Sequence, residues 1–194
     1  MAKLIGKNKI YCAVFISGRG SNLKSIFRYS KKKISKIILK LVVSNNLSAP
    51  GVKFAKKNKI ITQIVNYENK IKAEKEMLNL LKQNDIKLIC LAGFLKILSK
   101  NFIKNFKGKI INIHPSLLPK YKGLSTFKRA LNAGEKITGC TVHFVDEKLD
   151  NGRFILKKRV WIDKKDTPEI LKRKVQAEEY KVYSFAIRKI YNYI

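Results

Sequence analysis

At 194 residues with 45% hydrophobic content, the chain is long enough for one domain, 1–194, around one sizeable core, which excludes a peptide-sized scaffold and makes a second domain unexpected. No apolar stretch approaches the roughly 20 residues of a membrane span, and the basic stretch Met1 to Asn8 leads to no small-residue cleavage site, so a soluble, cytoplasmic protein is expected. The 43 Lys and Arg against 13 Asp and Glu, a formal charge of +30, fit either a nucleic-acid binder or the lysine, isoleucine and asparagine habit of AT-rich codons.

Ile10 to Ser17 is a β-branched and aromatic run bounded by Gly18 and reads as a buried first strand. Leu23 to Tyr29 reads as a helix, Ile37 to Val43 as a second strand, and Pro50 to Lys57 as a short helix entered through a proline. Ile60 to Val65 gives a third strand. Ala73 to Leu81 is an amphipathic helix closing at Asn84 and Asp85, Ile86 to Ala92 is strand four, Ser99 caps a helix to Phe106, and Ile110 to Ile113 is strand five. Strand and helix alternating at this spacing predict an α/β fold with a doubly wound, mostly parallel sheet. Beyond His114 the pattern changes. Thr126 to Ala133 is helical, Ile137 to Val145 and Phe154 to Ile162 are β-rich runs joined by the acidic turn 146–152, and a long helix runs from Pro168 to about Asn192.

Three constellations carry chemistry. Ser17-Gly18-Arg19-Gly20-Ser21-Asn22 joins strand one to its helix, where glycines and helix-start N–H groups suit an oxyanion such as a phosphomonoester; a merely structural turn is the other reading. It lacks the third glycine of a dinucleotide fingerprint and the Gly-Lys-Ser/Thr of a nucleotide P-loop. Asn112 and His114 lie two residues apart at a strand end, hence on one face, before the stiff segment from Pro115 to Pro119. With Asp150 nearby to raise its proton affinity, His114 suits donation to a developing oxyanion that Asn112 also holds. No serine or cysteine nucleophile motif accompanies them, which favours direct attack of one substrate on another. Glu179 falls inside the apolar stripe Leu171, Val175, Val182, Ala186 and Ile190, where it needs either a cationic ligand or a lysine as partner. Cys12, Cys90 and Cys140 sit in apolar runs without CxxC spacing and His114 and His143 are the two histidines, so no metal is expected.

Ser17 to Leu23, Val43-Ser44-Asn45, Ala92-Gly93-Phe94 with Ile97-Leu98-Ser99, Asn112 to Tyr121, and Leu149-Asp150 with Gly152 resemble, in the same order, the 10-formyltetrahydrofolate-dependent phosphoribosylglycinamide formyltransferases. The related methionyl-tRNA formyltransferases place glycine where Pro115 stands. The resemblance implies a Rossmann-like formyltransferase fold with a C-terminal β extension and a long C-terminal helix. It implies an N-terminal phosphate-binding half of about 1–108 and a folate and catalytic half of about 109–194. It implies, too, transfer of the formyl group of 10-formyltetrahydrofolate, a co-substrate, to the amine of glycinamide ribonucleotide in purine synthesis. By the same resemblance Gly20, Ser21 and Asn22 hold the substrate phosphate, and Gln176 and Glu179 contact the ribonucleotide. Leu95, Lys96, Ile97 and Leu98 bind the pterin through main-chain groups, with Asn112, Asp146, Glu147, Leu149 and Asp150 closing the folate pocket. Lys70 is the nearest counterpart of the family's folate-tail arginine, and Asn112, His114 and Asp150 match its catalytic trio. Lys96, Lys122, Ser125, Tyr180 and Ser184 depart from the family pattern, which often has arginine, proline, histidine, histidine and proline there.

Two alternatives stand beside this reading: a formyltransferase of the same fold acting on another amine, such as a sugar nucleotide, and a basic nucleic-acid-binding module. Lysines are spread from Lys31, Lys32 and Lys33 to Lys172 and Lys174 instead of forming one stripe interleaved with aromatics, which favours compositional drift, and no feature specifies an oligomeric state. Non-specific polyanion binding follows from the charge either way. Affinity for a random-sequence duplex is expected to fall steeply with added salt as counterion release loses its drive, whereas a sequence-selective complex persisting at about 0.5 M salt would overturn the drift reading.

Overall fold

A computed structural model describes residues 9–191. In β1 (Ile10–Ile16), Cys12, Val14 and Ile16 enter one buried cluster while Ala13 and Phe15 enter another, so successive side chains feed cores on opposite faces of the sheet. That is the burial a central parallel strand needs, and it explains why the segment is apolar without alternation.

The remaining elements follow in chain order: α1 (Ser21–Ser30), β2 (Ile37–Ser44), α2 (Pro50–Lys57), β3 (Ile61–Ile64), α3 (Lys70–Gln83), β4 (Ile86–Leu91), α4 (Lys100–Asn105), β5 (Lys109–His114), α5 (Thr126–Asn132), β6 (Ile137–Phe144), β7 (Phe154–Trp161) and α6 (Pro168–Ile190). They build one seven-stranded sheet of order β3-β2-β1-β4-β5-β6-β7. The pairs from β3 through β5 are parallel, and β6 and β7 add antiparallel at one edge. The expected doubly wound α/β fold with its two-strand extension is therefore present. One face carries α1, α2 and α6 over Leu23, Ile26, Val52, Val175 and Tyr183; the other carries α3 and α4 through Met77, Leu81 and Phe102.

Element ends differ from the sequence expectation where caps outweigh hydrophobic period. Gly20, in the left-handed region at φ 69°, opens α1 at Ser21, two residues ahead of the first apolar position. Asn69 accepts from the Lys72 N–H and starts α3 at Lys70, ahead of Ala73. Strand five extends one residue beyond the apolar run to include His114. Thr167 caps α6, whose described end is Ile190; the expected end at Asn192 and the segment Met1 to Asn8 lie outside the described residues. Among the described residues no helix is long and apolar enough to cross a membrane.

Two contacts lock the centre. Cys12 and Cys90, on neighbouring strands, bring their sulfurs to 3.6 Å as buried free thiols. Burial pushes the Cys90 thiol well up and the Cys140 thiol up to about 12, which keeps both protonated and unreactive. The fully buried Tyr183 of α6 shares its hydroxyl between the Leu91 and Ile111 carbonyls, at 2.8 and 3.2 Å, fastening the long helix to β4 and β5. Tyr183→Phe leaves both acceptors short of a donor and is expected to cost about 1–2 kcal/mol. In a chain of this length that lowers Tm by about 2–8 °C, and an unchanged Tm would show that the hydroxyl contributes nothing.

Candidate active site

β1 and β4 are adjacent, yet the chain leaves them in opposite directions, toward β2 on one side and β5 on the other, so their loops part at the carboxyl edge and open a crevice. Ser17 ties the two loops together. Its N–H donates to the Gly93 carbonyl at 3.0 Å, while its hydroxyl donates to Asn45 Oδ1 at 2.5 Å and accepts the Leu95 N–H at 2.8 Å. Glycine is required at position 20, since a Cβ there would stand 2.8 Å from the Gly51 Cα. The turn delivers the first N–H groups of α1, including those of Ser21 and Asn22, to the crevice at the positive end of a helix with no acid in its first turn. That is a site suited to an oxyanion.

The resemblance gives Asn22 to the substrate phosphate and Glu179 to the ribonucleotide. The structure places them in contact, Asn22 Nδ2 donating to Glu179 Oε2 at 2.8 Å, with both side chains buried. Packing of the α6 stripe at Leu171, Val175 and Val182 carries Glu179 down to the start of α1, where its partner among the described residues is an amide and not a lysine. Burial pushes the Glu179 carboxyl up, opposed by the Asn22 hydrogen bond and the charge of Lys172. Asn22 Oδ1 is buried with no partner among the described residues. Gln176 lies half-buried on α6, one turn before Glu179.

Asn112, His114 and Asp150 do come together, and Asp150 is their centre. Asp150 Oδ2 lies 3.2 Å from His114 Nδ1 and accepts the Gly123 N–H at 2.9 Å, while Oδ1 lies 3.5 Å from Asn112 Nδ2. The His114 Nε2–H donates to the Tyr121 carbonyl at 2.8 Å. Both ring nitrogens are thus engaged, and the residue is buried at 5% exposure. The electrostatic expectation also needs correction. Asp150 does favour the protonated ring, but burial outweighs it and pushes the His114 imidazole below its ordinary value; the Tyr121 carbonyl pushes it up, and His143 and Arg129 push it down. Asp150 itself titrates low: burial raises it, and the His143 contact, the Gly123 N–H and the charge of His114 more than compensate.

His143 is the member that sequence reading missed. It pairs across from Asn112 in the β5–β6 register, its Nε2 lying 3.3 Å from Asn112 Nδ2 and 3.7 Å from Asp150 Oδ1. Its Nδ1 lies 2.8 Å from the Phe144 carbonyl oxygen. Period two places His143 on the same face of β6 as Thr141, and that regularity was the available signal.

The folate-side candidates form a wall beside this cluster. Leu95 and Ile97 are exposed, Leu98 is buried, and Lys96 lies over the Tyr67 ring. The Leu95 N–H is already taken by Ser17, so it is not among the free main-chain groups. Buried Glu74, also missed, accepts from the Ser99 N–H at 2.8 Å, the Ser99 hydroxyl and Tyr67, and so fixes the base of the 95–98 segment. Glu147 reaches Lys100 and Lys104 of α4 at 3.1 and 3.6 Å, Asp146 accepts the Lys148 N–H, and Leu149 is exposed. Lys70 lies 4.0 Å from Glu74 and lines a groove of about 980 Å³ between α3 and α4 that contains none of the trio. Among the described residues no group of three His, Cys, Asp or Glu is arranged to hold a metal.

The formyl transferase family model matches residues 10–187. The chain belongs to that family. It is 39% identical over 189 residues to the trifunctional purine biosynthetic protein adenosine-3 of Gallus gallus, spanning 96% of this chain and only 19% of that protein. It is 38% identical over 179 residues to phosphoribosylglycinamide formyltransferase of Haemophilus influenzae, covering 91% of this chain and 84% of the relative. Among solved structures, phosphoribosylglycinamide formyltransferase from Coxiella burnetii superposes with a TM-score of 0.88 at 40% identity, covering 93% of this chain and 86% of that one. The enzyme of the same name from Anaplasma phagocytophilum gives 0.89 at 36% identity, covering 95% and 88%.

The folded chain binds the His114 proton less readily than the unfolded chain does. The residue's contribution to stability is therefore present above the ordinary imidazole value of 6.5 and lost as pH falls through the folded value. Asp150→Asn removes a charge that opposes burial and is expected to move the His114 titration, followed by NMR, to still lower pH. An unshifted titration would break the pairing drawn from the 3.2 Å contact.

Proposed function

We propose that this chain transfers the formyl group of 10-formyltetrahydrofolate to the amine of glycinamide ribonucleotide, a step of de novo purine synthesis, and does so in the cytoplasm. The observation that carries the reading is the Asn112, His114 and Asp150 cluster at the carboxyl edge of the same sheet that holds the Gly20–Asn22 turn. The family membership and the phosphoribosylglycinamide formyltransferases of similar length support the choice of substrates.

In the proposed reaction the phosphate of the ribonucleotide lies on the N–H groups at the start of α1, which aims its glycinamide amine toward β5. The pterin lies along 95–98, opposite the turn 146–150. The amine nitrogen bonds to the formyl carbon and the carbonyl oxygen becomes an oxyanion; collapse then breaks the bond to the folate nitrogen, and the proton lost by the amine ends on that nitrogen. Asn112 is half-buried and presents an amide N–H to the oxyanion. In its protonated form His114 redirects its Nε2–H from the Tyr121 carbonyl to the oxyanion, with Asp150 at Nδ1 balancing the charge of that ring. Holding both substrates in one crevice converts a bimolecular encounter into an oriented one.

A formyl-transfer assay with and without glycinamide ribonucleotide tests the reading. Asn112→Ala removes one oxyanion donor and is expected to lower kcat by about 10²–10³-fold, equivalent to about 2.7–4 kcal/mol, with little change in KM. Formyl transfer that proceeds equally well without the ribonucleotide, or a variant with normal kcat, would refute it.

A further inference from the structure

The second half of α1, the residues just after it and the last turns of α6 line an open depression of about 440 Å³ that shares no residue with the catalytic cluster. Four cations line it: Arg28 and Lys32 from the α1 side, Lys181 and Arg188 from α6. Lys181 is neutralised by Glu178 at 2.9 Å. Among the described residues Arg28, Lys32 and Arg188 have no carboxylate partner, so three unpaired cationic side chains border one concavity and are available to an anion. Guanidinium groups favour a multi-oxygen anion, because the planar fork donates two parallel hydrogen bonds.

The rest of the lining is aromatic and apolar. Phe185 is 61% exposed and Ile34 is 53% exposed, a cost in water that a stacked ring would remove. Tyr180 and Ser184, two of the positions at which this chain departs from the family pattern, also line the cavity, so its chemistry belongs to these residues and not to the formyl-transfer machinery. The volume falls within the roughly 300–1,000 Å³ of small-molecule pockets.

We propose that the α1–α6 cavity is a second ligand site that takes a nucleoside monophosphate, its phosphate held by Arg28, Lys32 and Arg188 and its base stacked on Phe185. The proposal goes beyond formyl transfer and does not depend on it.

Calorimetric titration of the full-length protein with AMP, adenosine and inorganic phosphate at low salt tests it. AMP is expected to bind at least about tenfold more tightly than either fragment, and the Arg28→Ala/Arg188→Ala variant to lose at least about tenfold in AMP affinity while keeping wild-type formyl transfer. Arg28→Lys/Arg188→Lys retains the charge but not the fork and should fall between. Phe185→Ala, a change at an exposed ring, should weaken AMP and leave phosphate unaffected. AMP affinity unchanged in the double alanine variant, or phosphate binding as tightly as AMP, overturns the proposal. If the arginine variants fail to fold, Phe185→Ala decides alone: undiminished AMP binding overturns it.

Discussion

One buried carboxylate holds the candidate active site together. Asp150 receives the Gly123 N–H from the loop after β5, faces His114 and Asn112 on β5, and faces His143 on β6. The chain reaches this position by a left-handed residue, Asp150 at φ 47°, followed closely by Gly152, where a Cβ would stand 2.0 Å from the Phe144 carbonyl. A carboxylate this deep stays charged only when its neighbours donate more than burial takes away. Here they do, so the acid at the centre remains an anion while the ring beside it is driven toward the neutral state.

The chain has 30 more basic than acidic residues, yet its three buried acids are satisfied chiefly by uncharged donors. Glu74 takes hydroxyls and an N–H from Tyr67 and Ser99, Glu179 takes the Asn22 amide, and Asp150 takes the Gly123 N–H. Lysine is suited to the periphery: its ammonium is strongly hydrated and its stem flexible, so it remains in water and pairs there, as Lys87 does with Asp85. Such exposed pairs contribute little to stability. The excess charge is thus carried by the surface, and the interior that positions the chemistry is built from hydroxyls, amides and main-chain groups.

Much of the architecture was legible in residue order. The runs at 10–16, 37–44 and 86–91 are mostly apolar because both faces of those strands are covered, with Lys40 and Lys87 as the charged interruptions, and the helices between them show one apolar side. Element ends were less legible: Gly20 and Asn69 set them through backbone conformation and a single hydrogen bond that a hydrophobic pattern does not register. The two-residue spacing of Asn112 and His114 predicted their shared face, and the acidic turn supplied Asp150, so the trio could be named in advance.

Local sequence determined the elements, the parallel order and the candidate groups, because periodicity and turn chemistry act over a few residues. Tertiary structure decided who touches whom and in what charge state. Asn22 meets Glu179 across 157 positions, Ser17 meets Leu95 across 78, and His143 faces Asn112 only because β6 adds antiparallel in one register. The depressed His114 titration likewise depends on burial by segments distant in sequence. Pairings of this kind follow from strand register and helix packing, and those minimise the free energy of the whole chain, so no short window of residues contains them.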